Sequence, residues 1–405
     1  MKAILTLFFV VFYSSAYAED IKFDLYGFLL ANSTIASGGV DSLGRNNMVA
    51  YNAAANPALA PYPSRTSQSF QVQQSRLGLK LQLEDDIETL FEFDFVDFSK
   101  SSPTVAALPR LRQAKVTWHD GDWTYHVGQM WDLFSPLAPT TYNYIGHYFT
   151  SGDLGFMRLQ AQALKKNGNF EHGMAIGFPS FNNQAQESTP ELSKWPTLSL
   201  RETYHDGPWT YGASGIVGHL ELPSRVRSQT PFAVNVFAQY KDTNDDINSE
   251  SYYGHNTENL SLQGLGYSAT LLTLKEAGAF VTARRRLNEK HGLFYGAGYA
   301  KIINPENMTP SYSYVAGRPV FNLTGGTYTG YGIVQNATAR LGYEYFYKKN
   351  MTAFFETAHL YTEYLYDPSD NGRWSSFRNA QVFEIGLKVD LKRISYAKVK
   401  SQPLC

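Results

Sequence analysis

The chain has 405 residues, with 35 basic against 36 acidic side chains and a net charge of −1. So even a balance argues against a nucleic-acid-binding protein. The single cysteine, Cys405, cannot form an intramolecular disulfide, while 28 Tyr and 26 Phe make aromatic residues plentiful.

In chain order, Met1-Lys2 is a positive n-region, residues 3–12 an apolar h-region and Ala16-Tyr17-Ala18 a small-x-small cleavage site. These predict a secretory signal peptide over 1–18, so the mature chain enters an exported compartment. No later window has the ~18–20 consecutive apolar residues that a spanning helix needs. The exported chain is then either soluble or a β-barrel, because only helices and closed barrels satisfy their backbone in lipid.

Strand periodicity begins early. Leu77, Leu79, Leu81 and Leu83 alternate with Gly78, Lys80 and Gln82, and Thr89, Phe91, Phe93 and Phe95 alternate with Leu90, Glu92 and Asp94. Successive side chains of a strand point to opposite faces, so this hairpin is apolar on one side and charged on the other. The last strand repeats the pattern, with Phe383, Ile385, Leu387 and Val389 against Glu384, Gly386, Lys388 and Asp390. Strands are predicted near 21–31, 70–84, 87–98, 110–118, 123–131, 155–164, 170–178, 197–204, 209–221, 231–240, 260–274, 279–287, 293–303, 330–347, 351–366 and 379–391. That makes sixteen, with 241–276 the region where fourteen or eighteen also fit.

Short turns at 84–86, 119–122, 166–169, 205–208, 288–292 and 347–350 alternate with long connections at 32–67, 99–108, 132–153, 179–195, 305–329 and 367–378. Several turns carry Asp-Gly or Asn-Gly, the chemistry of tight hairpins. One turn echoes another: Trp118-His119-Asp120-Gly121-Asp122-Trp123-Thr124-Tyr125 returns as Tyr204-His205-Asp206-Gly207-Pro208-Trp209-Thr210-Tyr211. Aromatics on both flanks of a turn suggest an interfacial girdle, although ordinary hairpin packing also uses them. A soluble sandwich would put its charges in bulk water, and the alternating turn lengths favour the other arrangement. The expected fold is an all-β transmembrane antiparallel barrel with short periplasmic turns and long extracellular loops.

Four stretches carry a family likeness. They are Gln74-Ser75-Arg76-Leu77-Gly78, Arg110-Leu111-Arg112-Gln113-Ala114, Gly128-Gln129-Met130-Trp131 followed by Phe134-Ser135-Pro136, and Arg158-Leu159-Gln160-Ala161-Gln162. In these, which span under half of the chain, it resembles the sixteen-stranded bacterial porins, and most the DcaP-like group. The resemblance implies a trimeric channel of the outer membrane, set in lipid and lipopolysaccharide, that passes small hydrophilic and often anionic solutes without a cofactor. It also implies that loop 132–153 folds into the pore. The loop lacks the Pro-Glu-Phe-Gly signature of general enteric porins. The barrel would end near 391, and an extension, 392–405, follows where porins usually stop on a terminal Phe.

A channel selects ions by the charge at its constriction. Arg76 lies nine residues before Asp85, Arg112 seven before His119, Arg158 nine before Asn167 and Arg340 seven before Tyr347, while Arg201 sits lower, four before His205. At ~3.3 Å per residue and a tilt near 40°, seven to nine residues rise ~18–23 Å above a turn. Lys80, Lys115, Glu92 and Asp94 complete the candidate lining, the two acids being natural partners of the arginines. Arg112 and Lys115 lie on opposite parities, so both reach the lumen only through a bulge or a small-residue inward face. Asp132 and Asp153 of the inward loop are candidates for an opposing acidic wall. These residues predict a weakly anion-preferring diffusion channel.

Two other classes compete. A barrel hydrolase needs a nucleophile and a base at one depth, and the sequence has no Gly-x-Ser-x-Gly, zinc-ligand helix or phosphate loop. His119, His205 and His291 read as turn residues, and His126 faces the lumen without a visible nucleophile partner. A plugged adhesive barrel would instead use its loops, such as 32–67, and would conduct no current.

Overall fold

The computed structural model describes residues 22–37, 40, 66–96, 108–143, 148–178, 195–221, 228–260, 262–265, 273–305, 312–315, 318–321, 333–364, 376–391 and 394–397. The expected signal segment and Cys405 lie outside them, as do most residues of loops 32–67, 99–108, 179–195, 305–329 and 367–378.

Sixteen antiparallel strands close into one barrel. They are β1 (Lys22–Ser37), β2 in two pieces (Ser67–Gln71 and Arg76–Gln82), β3 (Ile87–Asp94), β4 (Arg110–Asp120), β5 (Trp123–Trp131), β6 (Met157–Asn167), β7 (Phe170–Gly177) and β8 (Thr197–Asp206). The second half comprises β9 (Trp209–Val217), β10 (Phe232–Lys241), β11 (Asp245–His255), β12 (Lys275–Arg286), β13 (His291–Ile302), β14 (Ile333–Lys348), β15 (Met351–Tyr364) and β16 (Ser376–Asp390, continued by Ile394–Ala397). Each strand pairs with its sequence neighbour, and β16 returns to β1 through ten consecutive pairs from Phe28↔Asp390 to Ser37↔Gln381. Among the described residues no helix is long and apolar enough to cross a membrane.

Alternation sorts the two faces. Leu200, Val236 and Ile385 are 66%, 58% and 63% exposed, whereas their chain neighbours Ser199, Asn235 and Glu384 are 4%, 3% and 2% exposed. Large aliphatics thus cover the outside and polar groups the inside, the reverse of a soluble core and the arrangement that a bilayer solvates. Closure through β16 and β1 gives each of the sixteen barrel strands a neighbour on both sides, which hydrocarbon demands.

The short turns gather at one end. Gly121-Asp122, Gly168-Asn169 and Gly207-Pro208 are two-residue hairpins in which the glycine takes φ of 57°, 59° and 56°. A positive φ at the first central position is the type II′ requirement and explains glycine there. The echoed turns are alike in contact as in sequence: His119 Nδ1 lies 3.0 Å from Thr124 Oγ1, and His205 Nδ1 3.1 Å from Thr210 Oγ1. Trp118 stacks on Tyr125 at 4.8 Å and Trp209 meets Tyr240 at 4.9 Å, so aromatics ring the rim at this end.

The eleventh strand differs from expectation. It is Asp245–His255, not 260–274, and it follows a tight turn in which the Asp242 carboxylate accepts the N–H groups of Asn244 (2.8 Å) and Asp245 (2.7 Å). Those hydrogen bonds hold the Asp242 carboxyl below its usual range. The strand hid because its outer face carries Ser249 and Ser251 where other strands carry Leu or Phe, so the periodic signal is faint. Beyond it, Thr257–Leu260 is a short 3-10 turn inside the long connection. β1 likewise runs on to Ser37; Asn32 and Thr34 face inward and the outer positions 31 and 33 are Ala and Ser, so the apolar alternation lapses before Ile35.

Candidate functional site

The inward face of β2, β3 and β4 holds a dense ionic network. Asp94, fully buried, accepts Arg110 through Nε (2.9 Å) and Nη2 (2.6 Å) and Arg112 through Nη1 (3.0 Å). Glu92 accepts Arg112 Nε at 3.0 Å, Gln113 Nε2 at 3.3 Å and the Tyr26 hydroxyl at 3.2 Å, and Arg76 Nε lies 3.8 Å away. Lower on the same face Lys80 pairs with Glu88, and Lys115 stands opposite Leu90 in register.

Arg112 and Lys115 share this face because β4 bulges. Gln113 pairs with Glu92 and Leu111 with Phe93, so Arg112 is one residue too many for the ladder. The extra residue flips parity: Arg110 faces inward above it, and Gln113, Lys115 and Thr117 face inward below. Of the two routes that the spacing allowed, the bulge is the one used.

Arg158 and Asp132 meet at the root of the long loop after β5. Nε of Arg158 donates to Asp132 at 2.6 Å, Nη1 to the Phe178 carbonyl at 3.0 Å and Nη2 to the Leu260 carbonyl. Asp132 is therefore not a wall facing the arginines; it is the partner of one of them, because the loop starts on the same side of the barrel. Arg201 pairs with Glu171 at 2.8 Å, near the short-turn end. His126 Nδ1 lies 2.8 Å from Thr117 Oγ1 in the wall.

From Asp132 the loop's described residues, 132–143 and 148–156, cross the lumen and tie to the far side. Leu137 N–H (2.7 Å) and the Ser135 hydroxyl donate to Glu250 on β11. Thr140 N–H donates to Thr282 on β12 at 3.1 Å. The Thr141 hydroxyl (2.8 Å) and Tyr142 N–H (3.0 Å) donate to Glu356 on β15. The Tyr142 hydroxyl reaches Glu344 on β14 at 2.6 Å, and its ring stacks on Phe354 at 3.9 Å and 4°. On the return, Asn336 Nδ2 donates to Ser151 Oγ at 2.7 Å. Arg340 donates to Glu356 at 2.7 Å and lies over the Tyr148 ring at 5.4 Å, which ties a strand arginine to the loop. Asp153 is buried beside the loop's last turn, where its carboxylate accepts the Gly155 N–H (2.9 Å), and burial pushes its carboxyl up to about 7.

Glu250 and Glu356, which hold the loop, were absent from the sequence-derived set. Glu356 stands at an inward parity and could have been found from that. Glu250 lies in the strand whose outer face gave no signal. Among the described residues no group of His, Cys, Asp and Glu is arranged to hold a metal.

No family model matches the chain, and no curated protein matches it. Solved structures do: the fold is that of the sixteen-stranded outer-membrane porins. The outer membrane channel DcaP of Acinetobacter baumannii superposes with a TM-score of 0.65 at 13% identity, over 92% of this chain and 97% of that one. The anion-selective porin from Comamonas acidovorans gives 0.56 at 11% identity, over 92% and 100%. OmpT of Vibrio cholerae in its trimer form gives 0.54 at 13%, over 92% and 100%.

Proposed function

We propose that this chain is an outer-membrane porin, exported through its N-terminal signal, seated in lipid and lipopolysaccharide as a homotrimer, and open to passive diffusion of small hydrophilic solutes with a weak preference for anions. The observation that carries this reading is the polar lumen of a closed barrel narrowed by a loop tied to its opposite wall. A lumen of that kind conducts water and ions, and charge at the narrowing selects among them. The similar structures supply a channel, an anion-selective porin and a trimer.

The anion preference rests on one sector. Across β2 to β4, Arg76, Lys80, Arg110, Arg112 and Lys115 face Glu88, Glu92 and Asp94, an excess of positive charge. On the opposite wall the carboxylates of Glu250, Glu344 and Glu356 are occupied by donors from the loop. Purified protein in a planar bilayer tests both parts. Stepwise conductance and a reversal potential on the anion side of a KCl gradient are expected. A clear cation preference removes the anion clause, and a silent bilayer overturns the channel.

A further inference from the structure

The bulge that brings Arg112 inward is held from the outside of the barrel. β4 and β5 pair in regular register only up to Ala114↔Gln129. Above that rung the carbonyls of Leu111 and Arg112 have no described ladder partner on β5. The Gln129 side chain supplies one: its Nε2 donates to the Leu111 carbonyl at 3.0 Å and to the Arg112 carbonyl at 2.9 Å. Gln129 shares the outer face with Val127 and Trp131, which are 47% and 38% exposed. No water is available in hydrocarbon to satisfy two orphan carbonyls, so an amide at this point replaces the missing rungs. Gly128 prepares the same spot. Its φ is 133°, and a Cβ there would sit 2.1 Å from the Ala114 carbonyl oxygen, so only glycine lets β5 approach the bulged strand.

The consequence for the lumen follows from parity. With Gln113, Lys115 and Thr117 inward, an unbulged strand would turn Arg112 and Arg110 toward lipid and leave Glu92 and Asp94 uncompensated. We infer that Gln129 is a positioning residue for ion selectivity: from the lipid-facing wall it fixes the bulge that keeps Arg112 on Glu92 and Asp94. It touches no solute. The inference rests on the channel reading above.

The test compares reversal potentials of the intact protein, Gln129→Met, Arg112→Gln and the double variant. Methionine matches glutamine in length and suits lipid but donates no hydrogen bond. Gln129→Met is expected to move the reversal potential toward the cation side by at least half of the shift given by Arg112→Gln. The double variant should add little to Arg112→Gln alone, since both act through one group. If Gln129→Met does not assemble, Gln129→Ser is measured in its place; serine is too short to reach the carbonyls, and Ser249 and Ser251 already stand on the outer face of β11. Conducting variants that keep the unmodified reversal potential, or shifts that simply add, overturn the inference. A silent unmodified protein overturns the channel reading instead, so the two failures are told apart.

Discussion

Asp94 illustrates how little freedom a lumen residue has. Two guanidinium groups converge on its buried carboxylate, so removing the charge takes an ionic partner from both, with Arg112 keeping Glu92. Breaking such a buried pair from one side costs about 3–5 kcal/mol. Asp94→Asn should lower the urea midpoint of the folded barrel accordingly, and it should also move the reversal potential further to the anion side. An unchanged midpoint would mean that water in the lumen screens the network. Asp153 offers a pH-dependent counterpart. Its carboxyl is pushed up to about 7 in the folded chain against 3.8 in its ordinary state. The folded state favours the neutral acid, so this contribution is complete below 3.8 and is lost as pH rises through 7. Thermal unfolding followed from acid to neutral pH should show a declining stability whose slope is shallower in Asp153→Asn. Equal slopes in the two proteins would remove Asp153 from the account.

At the scale of elements, the inward loop is a strap fixed at both ends. Asp132 and Arg158 hold its root, and Glu250, Glu344 and Glu356 receive its N–H and O–H groups across the lumen. A hydrogen bond nets roughly 0.5–1.5 kcal/mol, so the groups that Ser135, Leu137, Thr141 and Tyr142 donate to Glu250 and Glu356 together about offset the entropy of ordering a few loop residues. Replacing both, Glu250→Ala with Glu356→Ala, should release the strap and raise single-channel conductance and its noise, while either change alone gives a smaller effect. Conductance that stays constant in the double variant would mean that the ring stack of Tyr142 on Phe354 suffices. The strap was legible in part. A long connection between two strands announces a loop, and its likeness to porins gave its direction. The identity of its far anchors depended on which strands lie opposite β5, and no local pattern carries that.

For the whole molecule, closure is the main source of order. β1 meets β16 over ten pairs, and Ile394–Ala397 adds four more against Lys22–Leu25, with Phe23 opposite Tyr396. Part of the extension expected beyond 391 therefore lengthens the closing seam at the short-turn rim. Deleting residues 392–405 should leave a folded barrel, because the ten-pair seam remains, but should lower the temperature at which the compact band unfolds on a gel. A truncated chain as stable as the intact one would show that those four pairs contribute nothing to closure.

The sequence by itself determined the faces and the ends. Alternation of large apolar with polar residues states which residues share a face, the alternating turn lengths point the apolar face to lipid, and Gly at the first central turn position states where a tight hairpin falls; all three are read along the chain without knowing which strands meet. Strand β11 escaped because serines on its outer face weaken that local signal. The tertiary structure decided everything that needs two distant segments. It set which carboxylate each arginine meets, that Asp132 belongs to Arg158, and that the loop ties to Glu250 and Glu356. It also decided that a bulge turns Arg112 inward, because a bulge is a mismatch between neighbouring strands and exists only once they are paired.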